Sequence, residues 1–122
     1  MNTFFYKFSQ NNTGGSFEVD DKLCHRLFIE AENAKTANKK AKELGAYFNG
    51  CYKGLDCDCC GDRWYKVDEN DKIDLESVSK SFEIDFKTIK DYAQYLANKY
   101  GWTKPDARIF YADNSIDEVF SE

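Results

Sequence analysis

A chain of 122 residues fits one domain with one buried core, and ten Phe and eight Tyr, within 16% aromatic content, supply that core generously. The net charge of −5 is concentrated in residues 56–76, where eight acids face three bases. This argues against a nucleic-acid phosphate footprint and suits solubility, a cation or a basic partner. Nothing approaches the ~18 apolar residues of a membrane span. The opening Phe4–Phe8 run has no basic leader and no small-residue cleavage site, so it is expected not to be a signal peptide and the protein to be soluble and cytoplasmic.

Phe4, Tyr6 and Phe8 alternate through residues 3–9, which is the period of a half-buried strand. Gln10 to Ser16 is dense in residues that tolerate positive φ and reads as a turn. Phe17-Glu18-Val19 then reads as a short strand closing a hairpin. Gly14-Gly15-Ser16, with Asn11 nearby, also offers a second reading, a nest of backbone N–H groups for an anion or phosphate. Cys24 to Ala31 is a third strand with Leu27, Ile29 and Ala31 on one face.

Asn33 is a good N-cap, and Ala34, Ala37, Ala41 and Leu44 recur at helical spacing while Lys35, Lys39, Lys40 and Lys42 lie outside. Gly45 ends that helix. Ala46-Tyr47-Phe48 leads into a cysteine loop, and Arg63 to Val67 leaves it as a strand. Ser77 to Phe82 fits either an edge strand or a loop. Asp85 is expected to cap a second helix striped by Ile89, Tyr92, Ala93, Leu96 and Tyr100, stopped by Gly101 and Pro105. Ala107 to Ala112 is the last strand, and residues 113–122 form an acidic tail. The expected architecture is one α+β domain over residues 1–122. Its mainly antiparallel sheet is covered by two amphipathic helices, at about 33–44 and 85–100, with the cysteine-rich loop at 49–63 at one edge.

That loop carries the unusual chemistry. Residues 49–64 hold four of the five cysteines, three glycines and three aspartates. The odd count and the adjacent Cys59-Cys60 pair favour thiols or metal ligands over a disulfide framework. Cys57-x-x-Cys60-Gly61 has the shape of a zinc knuckle, with a glycine relaxing the turn so that both sulfurs reach one ion. Cys51 and Cys24 (or its neighbour His25) are candidates to complete a zinc site, although no second C-x-x-C follows. Thioredoxin-like redox chemistry fits poorly, because three carboxylates flank the pair and a strand rather than a helix is expected after it. Asp56-x-Asp58-x-x-Gly61 begins like a calcium loop, but Val67 stands where an EF-hand needs Glu. The plainest reading packs the thiols in a loop, pairs Arg63 with a nearby aspartate and anchors Trp64 in the core. The alternative sets Arg63 and Trp64 outward as a recognition pair. No segment supplies a recognisable nucleophile with its base or a marked acid–base pair, so the reading leans away from an enzyme.

The segments Gln10-Asn11-Asn12-x-Gly14-Gly15-Ser16-Phe17 and Asp56-Cys57-x-Cys59-Cys60-Gly61-Asp62-Arg63-Trp64, with the strand–helix unit around Glu30-Ala31, resemble a group of small uncharacterised proteins of tailed-phage genomes. The resemblance spans roughly residues 4–67 and transfers no functional residue. It implies a phage accessory protein in the cytoplasm of an infected bacterium. Such a protein would act by non-enzymatic binding, inhibiting a host protein or sequestering a small nucleotide-like defence signal, and would suit a homo-oligomer. The alternative is a small zinc-stabilised module with cysteine thiolate ligands.

Overall fold

The alternation of Phe4, Tyr6 and Phe8 produces strand β1 (Phe4–Ser9) in the computed structural model, which describes residues 2–122. Four strands follow one another across a single sheet in chain order: β1, β2 (Arg26–Ala31), β3 (Ala107–Phe110) and β4 (Ile116–Val119). β1 and β2 are antiparallel from Phe4 opposite Ala31 to Ser9 opposite Arg26. β3 and β4 are also antiparallel, through Ala107 opposite Val119. The central pair, β2 and β3, is parallel, with Arg26 opposite Ala107 and Ile29 opposite Phe110. A parallel neighbour needs a long crossover, and the chain between these strands contains all the helices. The sheet is therefore mixed, and two of its three pairings are antiparallel, as expected.

Three helices run along the crossover: α1 (Ala34–Leu44), α2 (Leu75–Phe82) and α3 (Ile89–Tyr100). The Asn33 side chain accepts from the Thr36 amide at 2.8 Å, and Gly45 closes α1 at φ 118°, a left-handed position that favours glycine. The residues divided between edge strand and loop, 77–82, form most of α2 instead. Asp74 caps it, and Leu75, Val78 and Phe82 fall on one half-buried side, a spacing of three and four that suits a helix. α3 begins later than expected. Thr88 and Asp91 form a reciprocal capping box there, leaving Asp85 in the preceding loop.

Successive side chains of β2 point to opposite faces, so the sheet has a core on each side. Leu27 and Ile29 pack with Tyr6, Phe8, Phe48 and Trp64 and with the alanine face of α1. Phe28 packs on the other side with Ile109, Val119 and the Tyr92–Leu96 face of α3.

Several expected strands are absent. Phe17-Glu18-Val19 makes no ladder; the Gln10 side-chain amide donates to the Glu18 carbonyl at 3.0 Å, and β1 pairs instead with β2. Residues 13–15 form a 3-10 turn. Arg63 to Val67 is not a strand either, because the Asn38 side chain binds both backbone groups of Val67 at 2.9 Å. The acidic tail, by contrast, contributes β4. The outer edge of β1 is partly covered, since the Ile73 amide donates to the Phe5 carbonyl at 2.9 Å and Tyr6 bridges Lys72.

Asp106, fully buried at the head of β3, ties the far end of the sheet together. It takes the His25 ring N–H at 2.8 Å, the Arg26 guanidinium and the Trp102 amide at 2.8 Å. Arg26 also reaches the Tyr100 carbonyl at the end of α3. Burial alone would raise the Asp106 pKa, but the donors from His25, Trp102 and Arg26 outweigh it and hold the carboxyl below its usual range. Among the described residues no helix is long and apolar enough to cross a membrane.

A candidate metal centre at the tip of the cysteine loop

The loop leaves the α1 side of the core at Phe48 and returns to it at Trp64, both buried. Between them its base is fixed by carboxylates. Asp56 accepts from the Tyr47 hydroxyl at 2.6 Å and from the Arg63 amide at 2.8 Å. Asp62 accepts from the Cys51 amide at 2.9 Å, and the Asn11 side chain donates to the Cys60 and Asp62 carbonyls at 2.6 and 3.2 Å. Gly50 allows the closure, because a Cβ there would lie 1.7 Å from Asp56 Oδ2. The Gly50 carbonyl takes the amides of Leu55 and Asp56 at 2.8 and 3.1 Å.

Arg63 is the second fixture. Its guanidinium is buried and donates to Gln10 Oε1 at 3.0 Å, to the Ser16 carbonyl at 2.9 Å and to the Thr13 carbonyl at 3.2 Å, with Glu18 3.0 Å from Nε. Nε also donates to the Tyr47 hydroxyl at 3.2 Å, so the partners are two carbonyls of the Gly-rich turn, a glutamine, a glutamate and a tyrosine, rather than an aspartate side chain of the loop. Trp64 is completely buried. The outward recognition pair is therefore corrected: both side chains face inward and hold the loop to the turn. The Gly14-Gly15-Ser16 turn has φ of 72° and 83° at its glycines and its neighbouring carbonyls point at Arg63, so it works as an acceptor of a cation.

The sulfurs lie beyond this base. Cys57, Cys59 and Cys60 are exposed, and their Sγ atoms all lie within 4.8 Å of one another. Cys59 is 3.7 Å from Cys60 and 2.7 Å from Cys57. Four thiolates on tetrahedral zinc stand about 3.8 Å apart, given Zn–S bonds of ~2.3 Å, so the Cys59–Cys60 edge already fits and the Cys57–Cys59 edge must open by about 1 Å. The turn itself has knuckle form: the Cys60 and Gly61 amides donate to the Cys57 carbonyl at 3.1 and 3.0 Å, and Gly61 sits at φ 87°. The hydrogen bond from the Cys59 thiol, then the backbone amides of Cys59 and Cys60, lower the Cys57 pKa. The same thiol contact, seen from its donor, pushes Cys59 up to about 11.

Of the expected zinc ligands, Cys57 and Cys60 come together with Cys59, while Cys51 and Cys24 do not join the group. Cys51 is adjacent, its thiol 3.5 Å from the Cys57 carbonyl, but desolvation and then Asp62 raise its pKa to about 11. Cys24 is buried in the core and donates to the Arg26 carbonyl at 3.3 Å; burial first of all pushes it up to about 12. His25 is committed to Asp106. Cys59 joins Cys57 and Cys60 because the turn closed by the Cys60 and Gly61 amides on the Cys57 carbonyl folds the three sulfurs together, which C-x-x-C spacing alone does not indicate.

A small α+β domain that carries an exposed three-thiol tip on a carboxylate-braced loop is the class that fold and site define. The chain belongs to the family described as Domain of unknown function (DUF7296), whose model matches residues 3–118. No curated protein and no solved structure matches it.

Proposed function

We propose that the protein is a non-enzymatic binding module whose cysteine loop takes one thiophilic metal ion, zinc in the first instance, through Cys57, Cys59 and Cys60. The convergence of three exposed sulfurs is the observation that carries the reading. Three thiolates of one turn suit a soft or borderline cation and leave a fourth position for water, a rearranged Cys51 or a donor from a partner. Because Asp56, Asp62, Asn11 and Arg63 already brace the loop, the metal is an addition to a folded loop rather than its staple. That distinguishes this centre from small zinc fingers, which are unfolded without metal. Elemental mass spectrometry on protein purified without a metal-affinity tag tests it, followed by cobalt substitution. About one metal per chain, with thiolate-to-cobalt absorption lost in Cys57→Ser and Cys60→Ser, is expected. Metal-free protein that also fails to take up zinc or cobalt under reducing conditions would refute it.

We propose further that the module serves as a phage accessory protein that binds a host component. The acidic 56–76 segment and strongly exposed aromatics support this reading. Tyr52 on the loop is 93% exposed, and Trp102 is 70% exposed and stacked on Phe17 at 6.1 Å. Large exposed aromatics are favoured anchors at interfaces. Stoichiometric inhibition of a host activity, abolished by Trp102→Ala or Tyr52→Ala, is the expected result; catalytic, substoichiometric inhibition would contradict it.

A further inference from the structure

The second feature with ligand chemistry lies away from the cysteines, between α1 and the segment that follows Arg63. A groove of about 400 Å³ opens there, rimmed by Lys35, Lys39, Lys42 and Lys66 over a floor that includes Phe48 and Val67. The volume lies within the range of small-molecule sites. Its walls are pinned to each other, by the two 2.9 Å bonds between the Asn38 side chain and the Val67 backbone and by the Ala34 amide donating to Glu69 Oε2 at 2.7 Å. The groove is therefore formed before anything enters it.

Its charge is unusual for this chain. The lysines at 35, 39 and 42 occupy one side of α1 at spacings of four and three, and Lys66 faces them from the other wall. Among the described residues none of the four has a carboxylate within 4.0 Å, whereas the ammonium groups of Lys72 and Lys80 do. The two acids at the rim keep their negative charge, but both are held by other partners. Asp68 caps the 69–71 turn, and Glu69 accepts from Ala34 and Tyr6 and lies 3.5 Å from Lys72. A protein of net charge −5 thus concentrates free positive charge in one preformed groove.

We infer that this groove binds a small organic phosphate. Four ammonium groups set against the Asp68 and Glu69 carboxylates leave an excess of about two positive charges, the charge of about one phosphate at neutral pH. The floor of Phe48 and Val67 favours an organic body over inorganic phosphate alone. A long nucleic acid fits less well, because the groove is short and the adjoining acids of residues 68–76 would repel a continuing phosphate row. This inference does not depend on the metal reading.

The test uses ATP without magnesium as probe, titrated into nitrogen-15-labelled full-length protein. Saturable amide shifts confined to residues 34–42 and 66–69, with a Kd below about 1 mM, are expected. Lys39→Gln and Lys66→Gln should each weaken binding about tenfold, whereas Lys87→Gln and Lys90→Gln, exposed on the α3 side, should leave it unchanged. Dispersed spectra of the variants report that each is folded. No saturation, or equal weakening by all four substitutions, would overturn the assignment. Tighter binding at the same amides by a peptide of residues 68–76 would also overturn it, making the groove a dock for an acidic chain.

Discussion

Two loops of this protein are built around a carboxylate, and they differ in what is left outside. Around Asp106 the histidine, the arginine and two strand ends close inward, and the aspartate is wholly buried. Around Asp56 the tyrosine, the Arg63 amide and Gly50 close a base, but the chain beyond it projects three thiols into solvent. The first arrangement holds the sheet to α3. The second holds the exposed tip in place without drawing on the tip itself, so the brace and the three thiols are separate parts of one loop.

The sharpest way to break that contrast is at Asp106. Asp106→Ala leaves Arg26 and His25 buried without their acceptor and should cost about 3–5 kcal/mol, read as a shifted denaturant midpoint. Arg63→Met comes next. It strips the buried donors from Gln10, Ser16 and Thr13 and should cost about 3 kcal/mol while releasing the Gly-rich turn, visible as faster amide exchange at residues 13–16. Gly50→Ala forces the Asp56 carboxylate aside and should cost about 2 kcal/mol and reduce metal uptake, since the base beneath the sulfurs shifts. The triple change of Cys57, Cys59 and Cys60 to Ser should abolish metal binding yet move the apo thermal midpoint by no more than about 2 °C. A large loss of apo stability there would show that the tip does hold the loop.

Acid separates the two regions as well. The Asp106 pKa is lower in the folded than in the unfolded chain, so its stabilising contribution is complete above the unfolded value near 3.8 and is lost as pH falls through the folded one. Metal on the thiols competes with protons instead, and should leave at a higher pH than the one at which the sheet unfolds. Following zinc release and circular dichroism in one titration checks the order; coincident transitions would contradict it.

The sequence made the β2–α1 unit legible because every local signal agreed: Asn33 as cap, alanines at helical spacing, Gly45 as stop. The C-terminus of α3 was legible for the same reason. The second strand of the supposed hairpin was not, since the backbone of residues 13–18 is held by the side chains of Gln10 and Arg63, the latter some fifty positions away in the chain. The helix over 75–82 was obscured because Val78 and Phe82 alone fit more than one period. At the candidate site, the knuckle of Cys57 and Cys60 and the burial of Trp64 could be read from the sequence, whereas the partners of Arg63 in the distant Gly-rich turn depend on tertiary contacts that no local pattern encodes. Cys24 and Cys51 seemed equivalent to the others only because residue type says nothing of burial.

The short bridge between Tyr6 and Lys72, with the Ile73 amide on Phe5, has a consequence for how the molecule behaves in crowded solution. An unpaired strand flank is a template on which another chain can add itself. Here the aromatic flank of β1 is capped by the protein's own chain. The opposite margin, β4, exposes Ile116 but also carries Asp117 and Glu118, and two such margins approaching each other would meet like charge. One side of the sheet is thus shielded by a covering segment and the other by repulsion. Both devices work against edge-to-edge growth of the sheet by a second copy of the chain.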